Sequence, residues 1–378
     1  MRSRAVSSRE VMANGSSCRS GWPSGVATLW RVAKFVLLSL FVLAASPAMD
    51  VYAQDEVVAM PSAVVVIYHR FGEDTLPSTN ISLDQFEAHL RLLQDGNYNV
   101  VPLEEVVIAL RDGTALPDRT IAITIDDTFR SIYTEAFPRF QVAGFPFTVF
   151  VNTDSVGQVG GALSWDDIRA MHAAGASIGA HSAAHAHMPF MDRGAMEEDL
   201  VRMTSTFLQE LGFVPNIFAY PYGEYSDEVV AMVRDAGYLA AFGQHSGVAV
   251  AGADLFTLPR FALNERYGEP DRFATIIDTL GLPVSDLLPE DMPIWGTAPN
   301  PPAIGFTVDE EVGSLHRLAC FASNGADVTL DVLGDRRVEL RLDRPFGPGR
   351  SRINCTMPLP DGRFRWLGIP FLVPGGVA

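Results

Sequence analysis

The stretch Ile121-Ala122-Ile123-Thr124-Ile125-Asp126-Asp127-Thr128 decides how this chain folds. It opens as an apolar, β-branched run, the composition of a strand buried on both faces of a parallel sheet. It closes on two adjacent carboxylates. Successive strand residues face opposite sides, so neighbouring acids can aim at different targets only where the strand frays into a loop. An ionised Asp is costly to bury unless it is paired or bound to a metal. Strand carboxyl ends are also where α/β folds gather their reactive groups. The plainer alternative is an Asp pair that caps the helix after Phe129.

Outward from this strand, residues 63 to 281 alternate between strand and helix patterns. Residues 63–69 read as a strand. Ser82-Leu83-Asp84-Gln85 reads as a capping box, with Phe86, Leu90 and Leu93 at helical spacing behind it. Residues 103–110 read as a short helix. Further strands are expected at 147–151, 177–181, 217–220, 239–242 and 258–263. Helices are expected from Ser164 and over 196–211, 227–236 and 272–280. About seven βα units predict an α/β fold, an irregular (β/α)7-type barrel over residues 62–281 rather than an open doubly wound sheet. No G-x-G-x-x-G opens the first helix, so nothing supports a dinucleotide site.

Residues 282–302, rich in Pro and Asp, read as a linker. Residues 303–378 change to a β pattern, with a hairpin around Gly334-Asp335 and further strands around Pro360-Asp361-Gly362. They predict a small, β-sandwich-like all-β module without a catalytic cluster, so a barrel ending near Pro293 is expected to keep its chemistry. Cys320 and Cys355 both fall in this module. An even pair in an exported chain suggests a disulfide, worth roughly 3–4 kcal/mol for a loop of that length in the chain-entropy model.

Residues 1–53 read as an N-terminal extension and signal peptide, with Met12 as an alternative start. Arg31 and Lys34 precede an apolar run over 35–45, and Val51-Tyr52-Ala53 offers a cleavage site. The run is short for a permanent span, so no stable membrane anchor is expected and the mature chain belongs in the periplasm or outside the cell. The net charge of −17 argues against nucleic acid as a partner, because phosphate contacts need a basic surface. It argues against an acidic polymer as well.

Two more clusters end strands. His181-Ser182-Ala183-Ala184-His185-Ala186-His187 places two His four residues apart, able to converge on one metal if the chain turns helically after His181. With a carboxylate they make the two-His-one-Asp set that leaves a metal position open, as in catalytic zinc sites. His187 could stand in for either, although Met188-Pro189 turns the loop away. Surface His clusters are common in loops, which is the bland alternative. In Phe218-Ala219-Tyr220-Pro221-Tyr222-Gly223, Pro221 fixes φ and Gly223 permits a tight turn with exposed amides, or simply makes an ordinary turn.

In this order and spacing the three clusters resemble the polysaccharide deacetylases with the NodB homology domain, carbohydrate esterase family 4. That family's T-F-D-D-G appears as Thr124-Ile125-Asp126-Asp127-Thr128, its H-[ST]-x-x-H as His181-Ser182-Ala183-Ala184-His185, and its R-x-P-Y-G as Ala219-Tyr220-Pro221-Tyr222-Gly223. The resemblance implies that Asp127, His181 and His185 hold a divalent metal, zinc first, and that Asp126 is the general base. Pro221 and Tyr222 would shape the oxyanion site through the Tyr222 amide. Two positions depart from the pattern. Thr128 replaces a Gly, and Ala219 replaces the Arg that fixes the base, for which Arg260 is the expected substitute. The wording of the third cluster, and Tyr68-His69 on the first strand, are similar to the branch that deacetylates poly-β-1,6-N-acetylglucosamine. In that branch the acid His comes from the early strand, which makes His69 the acid candidate, with His245 as its rival.

The expectation is therefore an exported, metal-dependent hydrolase that removes N-acetyl groups from an N-acetylglucosamine-containing polysaccharide. A catalytically inactive carbohydrate-binding or scaffold protein on the same fold is the alternative from another class, and a hydrolase of a non-glycan amide is a third. Trp165, Tyr222 and Phe71 flank the strand ends and could stack on a sugar, or pack in the core as aromatics more often do.

Overall fold

Apolar strand composition sets the centre of the molecule. The computed structural model describes residues 61–158 and 160–375, so the expected signal peptide lies outside the described residues. Ser62–Tyr68 and Thr120–Asp126 pair in parallel, and every residue of the latter is buried. Thr148–Val151, Ser177–Ala180, Ile217–Ala219 and Ala240–Phe242 add in turn, each parallel to the last. Phe242 bridges to Leu258, and Phe261–Ala262 pairs in parallel with the first strand, so the sheet curls round on itself as a (β/α)-type barrel.

The last of these strands is shorter than its apolar run, because Pro259 has no N–H for a ladder. Helices such as Leu83–Asp95, with its Ser82/Gln85 capping box, and Arg193–Leu211, capped by Asp192, cover the barrel. Because the strands run parallel, Tyr68, Asp126, Val151, Ala180 and Ala219 all end toward one rim. There the loops build the site.

Two four-stranded sheets follow. Leu280–Gly281, Phe364–Val373, Gly349–Pro358 and Ala319–Ala322 form one, and Val284–Leu288, Ile304–Val308, Arg337–Leu342 and Val328–Leu333 the other. Between them sit Phe306, Ile353, Ile369 and Phe371, all at most 1% exposed. Cys320 and Cys355 face each other across a strand pair and are disulfide-bonded.

The structure differs from the linker reading of residues 282–302. Val284–Leu288 is a strand of the second sheet, and Met292 is buried in the barrel's own core together with Leu372 of the last strand. Met292 and Leu372 are also tied through their backbones, Leu372 N donating to Met292 O at 3.0 Å. Pro and Asp discourage regular structure but do not prevent burial, and Leu282, Met292 and Ile294 supply apolar anchors between them. Trp366 meets Phe261 edge to face at 5.2 Å, so the all-β part and the barrel pack as one compact unit.

Candidate active site

Asp126 ends its strand fully buried, a position that would push its carboxyl toward the neutral form. Arg260 reverses this. Its Nη1 and Nη2 donate to Oδ1 and Oδ2 at 2.7 and 2.8 Å, and the guanidinium holds the Asp126 carboxyl below its ordinary range despite the desolvation. Arg260 is itself 0% exposed. It donates further to Gly243 O and Thr124 Oγ1, and Phe150 lies 5.2 Å from its centre. The residue named as a substitute for the missing motif arginine thus lies on Asp126, while Ala219 occupies a fully buried strand position.

The chain then turns at Asp127, whose φ is 75°. Thr128 has no such φ, which explains why a β-branched residue is accommodated where the family pattern has Gly. Asp127 Oδ1 lies 3.1 Å from His185 Nε2 and 3.8 Å from His181 Nε2. The His181 Nδ1–H donates to Ala219 O at 2.7 Å, which leaves the Nε2 lone pair free on the side of the carboxylates, 3.8 Å from Asp126 Oδ2 as well. Burial lowers the His181 pKa to about 4, so this ring is neutral. Burial also acts on His185, but its bond to Asp127 outweighs it and raises that pKa.

The 181–187 loop is clamped from behind. The Asp199 carboxylate accepts from Ala183 N and Ala184 N at 2.8 and 2.9 Å, and Ser182 Oγ accepts from His185 N. His187 is turned away, its Nδ1 bonded to Glu224 at 2.6 Å and its ring stacked on Tyr222 at 3.9 Å.

These residues suit a divalent cation. Ligand atoms of Asp127, His181 and His185 lie within 4.8 Å of one another, and buried His181 Nε2 has no hydrogen-bond partner among the described residues. An orphaned, unprotonated imidazole nitrogen beside a carboxylate is the donor set of a catalytic zinc.

Tyr222 sits at φ 60° in a tight turn closed by Gly223. A Cβ on Gly223 would lie 2.4 Å from Gln244 N, so both its φ and its closeness require Gly. A cavity of about 430 Å³ opens over the site, with His69, Asp127, His185, Tyr222 and His245 in its wall. His69 is therefore on the cavity, and burial lowers its pKa against the pull of Asp127 and Asp126. His245 is there too, lowered to about 3 by burial and then by Arg260 and Arg352.

Of Trp165, Tyr222 and Phe71, Tyr222 lines the cavity, as does Tyr267. Phe71 packs in the core against Tyr68 and Phe86, and Trp165 against Phe207. Residues that sequence reasoning missed also line the cavity. Gln244 donates to Asp126 Oδ2 at 3.4 Å, and Arg272, Arg350 and Arg352 contribute the rest of a basic wall. None carries a local pattern that marks it.

Residues 113–241 match the family described as polysaccharide deacetylase. The chain is similar to the poly-β-1,6-N-acetyl-D-glucosamine N-deacetylase of Escherichia coli K12, 26% identical over a 210-residue alignment that covers 44% of this chain and 31% of that protein. It spans under a third of that relative's length. The Staphylococcus aureus MRSA252 protein of the same name is 21% identical over 215 residues, 53% of this chain and 73% of the relative. Among solved structures, IcaB from Ammonifex degensii superposes with a TM-score of 0.53 at 25% identity, over 58% of this chain and 98% of that one.

Proposed function

On the premise that this chain carries a polysaccharide deacetylase domain of the NodB type, we propose that it removes N-acetyl groups from an N-acetylglucosamine-containing polysaccharide outside the cytoplasm. The observation that carries this reading is the Asp127/His181/His185 set beside the buried, ion-paired Asp126, with Asp127 and His185 in the wall of one cavity. Asp127, His181 and His185 would hold a divalent cation. Such an ion lowers the pKa of a water and polarises an acetamide carbonyl.

The chain's own residues supply the rest. Asp126, kept ionised and oriented by Arg260, takes a proton as the water oxygen bonds to the acetyl carbon. The Tyr222 amide, presented by the turn after Pro221, donates to the oxygen that gains charge. When the C–N bond breaks, the leaving amine needs a proton, and His69 would give it, its charged form disfavoured by burial but favoured by Asp127 and Asp126 beside it. The products are acetate and a glucosamine unit.

The test is acetate release from N-acetylglucosamine oligomers with and without chelator, alongside metal analysis of variants. Asp126→Asn is expected to keep bound metal and lose turnover, and Asp127→Asn to lose the metal itself. His69→Ala is expected to keep metal and lower kcat by roughly 10²–10⁴. Release that survives both chelation and Asp126→Asn would sink the reading. Among the described residues no helix is long and apolar enough to cross a membrane.

A further inference from the structure

We propose that the cavity takes an acidic glycan, with Arg272 and Arg352 receiving a carboxylate on the substrate; this rests on the deacetylase reading above. The whole chain carries −17, yet among the described residues Asp127 is the one carboxylate in the cavity wall, against Arg272, Arg350 and Arg352. Arg350 is spoken for. Its Nη1 donates to Tyr222 O at 2.7 Å and its Nε lies 3.5 Å from Glu224.

The other two are not. Among the described residues neither Arg272 nor Arg352 has a carboxylate within ion-pair distance. Arg272 donates to Tyr267 O alone, while Arg352 Nε is buried with no partner. Both residues line the same cavity, and burial lowers the Arg272 pKa with the charge of Arg352 adding to this. Arg272 comes from the Pro270–Ile277 helix of the barrel and Arg352 from the Gly349–Pro358 strand of the β sheets.

Holding two like charges together on a half-buried wall is unfavourable unless an anion completes it. Guanidiniums match a planar carboxylate two bonds at a time. The ligand must also carry the acetamide that faces Asp127 and His185 in the same cavity. An N-acetyl sugar linked to a uronic acid has both groups within reach of one such cavity. Net charge alone argued against an acidic polymer, but net charge describes the outer surface, and the local field in a cleft is set by the groups that line it.

The experiment uses the full chain and three oligosaccharides of equal length: one alternating N-acetylglucosamine with glucuronate, its carboxyl-reduced form, and an N-acetylglucosamine homo-oligomer. Acetate release and equilibrium binding are both measured. The uronate oligomer is expected to bind and react better than its reduced form by on the order of tenfold, the scale of one charge-assisted contact. Arg352→Met and Arg272→Met should each erase most of that preference through KM, and Arg352→Lys should keep part of it. Equal binding of the uronate oligomer and its reduced form overturns this inference, whether or not acetate appears. Acetate from none of the three, with the binding preference intact, overturns the deacetylase reading instead.

Discussion

At the scale of single residues, the site depends on a few side chains held where isolated chemistry would not leave them. Asp127, Ser182, His185 and Tyr222 all have φ between 54° and 75°, a region that costs a non-glycine residue about 1–3 kcal/mol. Such strain persists only where the surroundings impose it. Here they do, through the Asp199 clamp and the tight turn at Gly223. The Asp126–Arg260 pair is the same case in charge. Both partners are 0% exposed, so removing one leaves the other buried and uncompensated. Arg260→Met is expected to cost about 3–5 kcal/mol of stability in urea unfolding, and Asp126→Asn added to it should recover much of that loss. A cost within 1 kcal/mol of zero would mean that Asp126 does not need its partner.

At the scale of elements, the helix Leu83–Asp95 docks on the first strand through a buried histidine. His89 Nε2–H donates to Gly268 O at 2.7 Å, its Nδ1 accepts from Tyr68 Oη at 3.0 Å, and its ring stacks on Phe273 at 3.8 Å. This network needs the neutral ring, and burial lowers the pKa to about 4. The unfolded chain has the ordinary value near 6.5 and so binds the proton first as pH falls. Stability is therefore full above about pH 6.5 and is lost as pH falls toward 4, by about 3 kcal/mol for this group. His89→Gln is expected to flatten the pH dependence of unfolding in that window. The slope should not vanish, because His181 and His245 shift in the same direction. An unchanged slope would mean that His89 does not titrate as its packing implies.

At the scale of the whole molecule, the β sheets are a wall of the cavity as well as an appendage. Arg350, Arg352 and Pro370 line it, and Leu372 and Met292 complete the barrel core. A chain ended near Pro293 loses all of these but Met292, which it leaves at a frayed end. Losing one buried residue of Leu size costs about 2–5 kcal/mol, and here several go together. The truncated chain is expected to unfold at lower urea than the full chain and, where still folded, to show a raised KM. Unfolding and KM equal to those of the full chain would restore the view of the barrel as self-sufficient.

The residues alone determined the barrel strands and the three clusters at their ends. Burial in a parallel sheet imposes an apolar, β-branched composition, and a metal or turn cluster within one loop has local spacing, so both are written in consecutive positions. Arg260, Gln244, Arg272 and Arg352 have no such signature. Arg260 and Asp126 stand 134 positions apart, and only the curl of the sheet brings them together. The same holds for the seam between helix and β sheet that makes the cavity basic inside an acidic chain. The Pro- and Asp-rich stretch after the barrel was misleading for the related reason that composition reports local backbone preference, whereas the burial of Met292 depends on what packs over it.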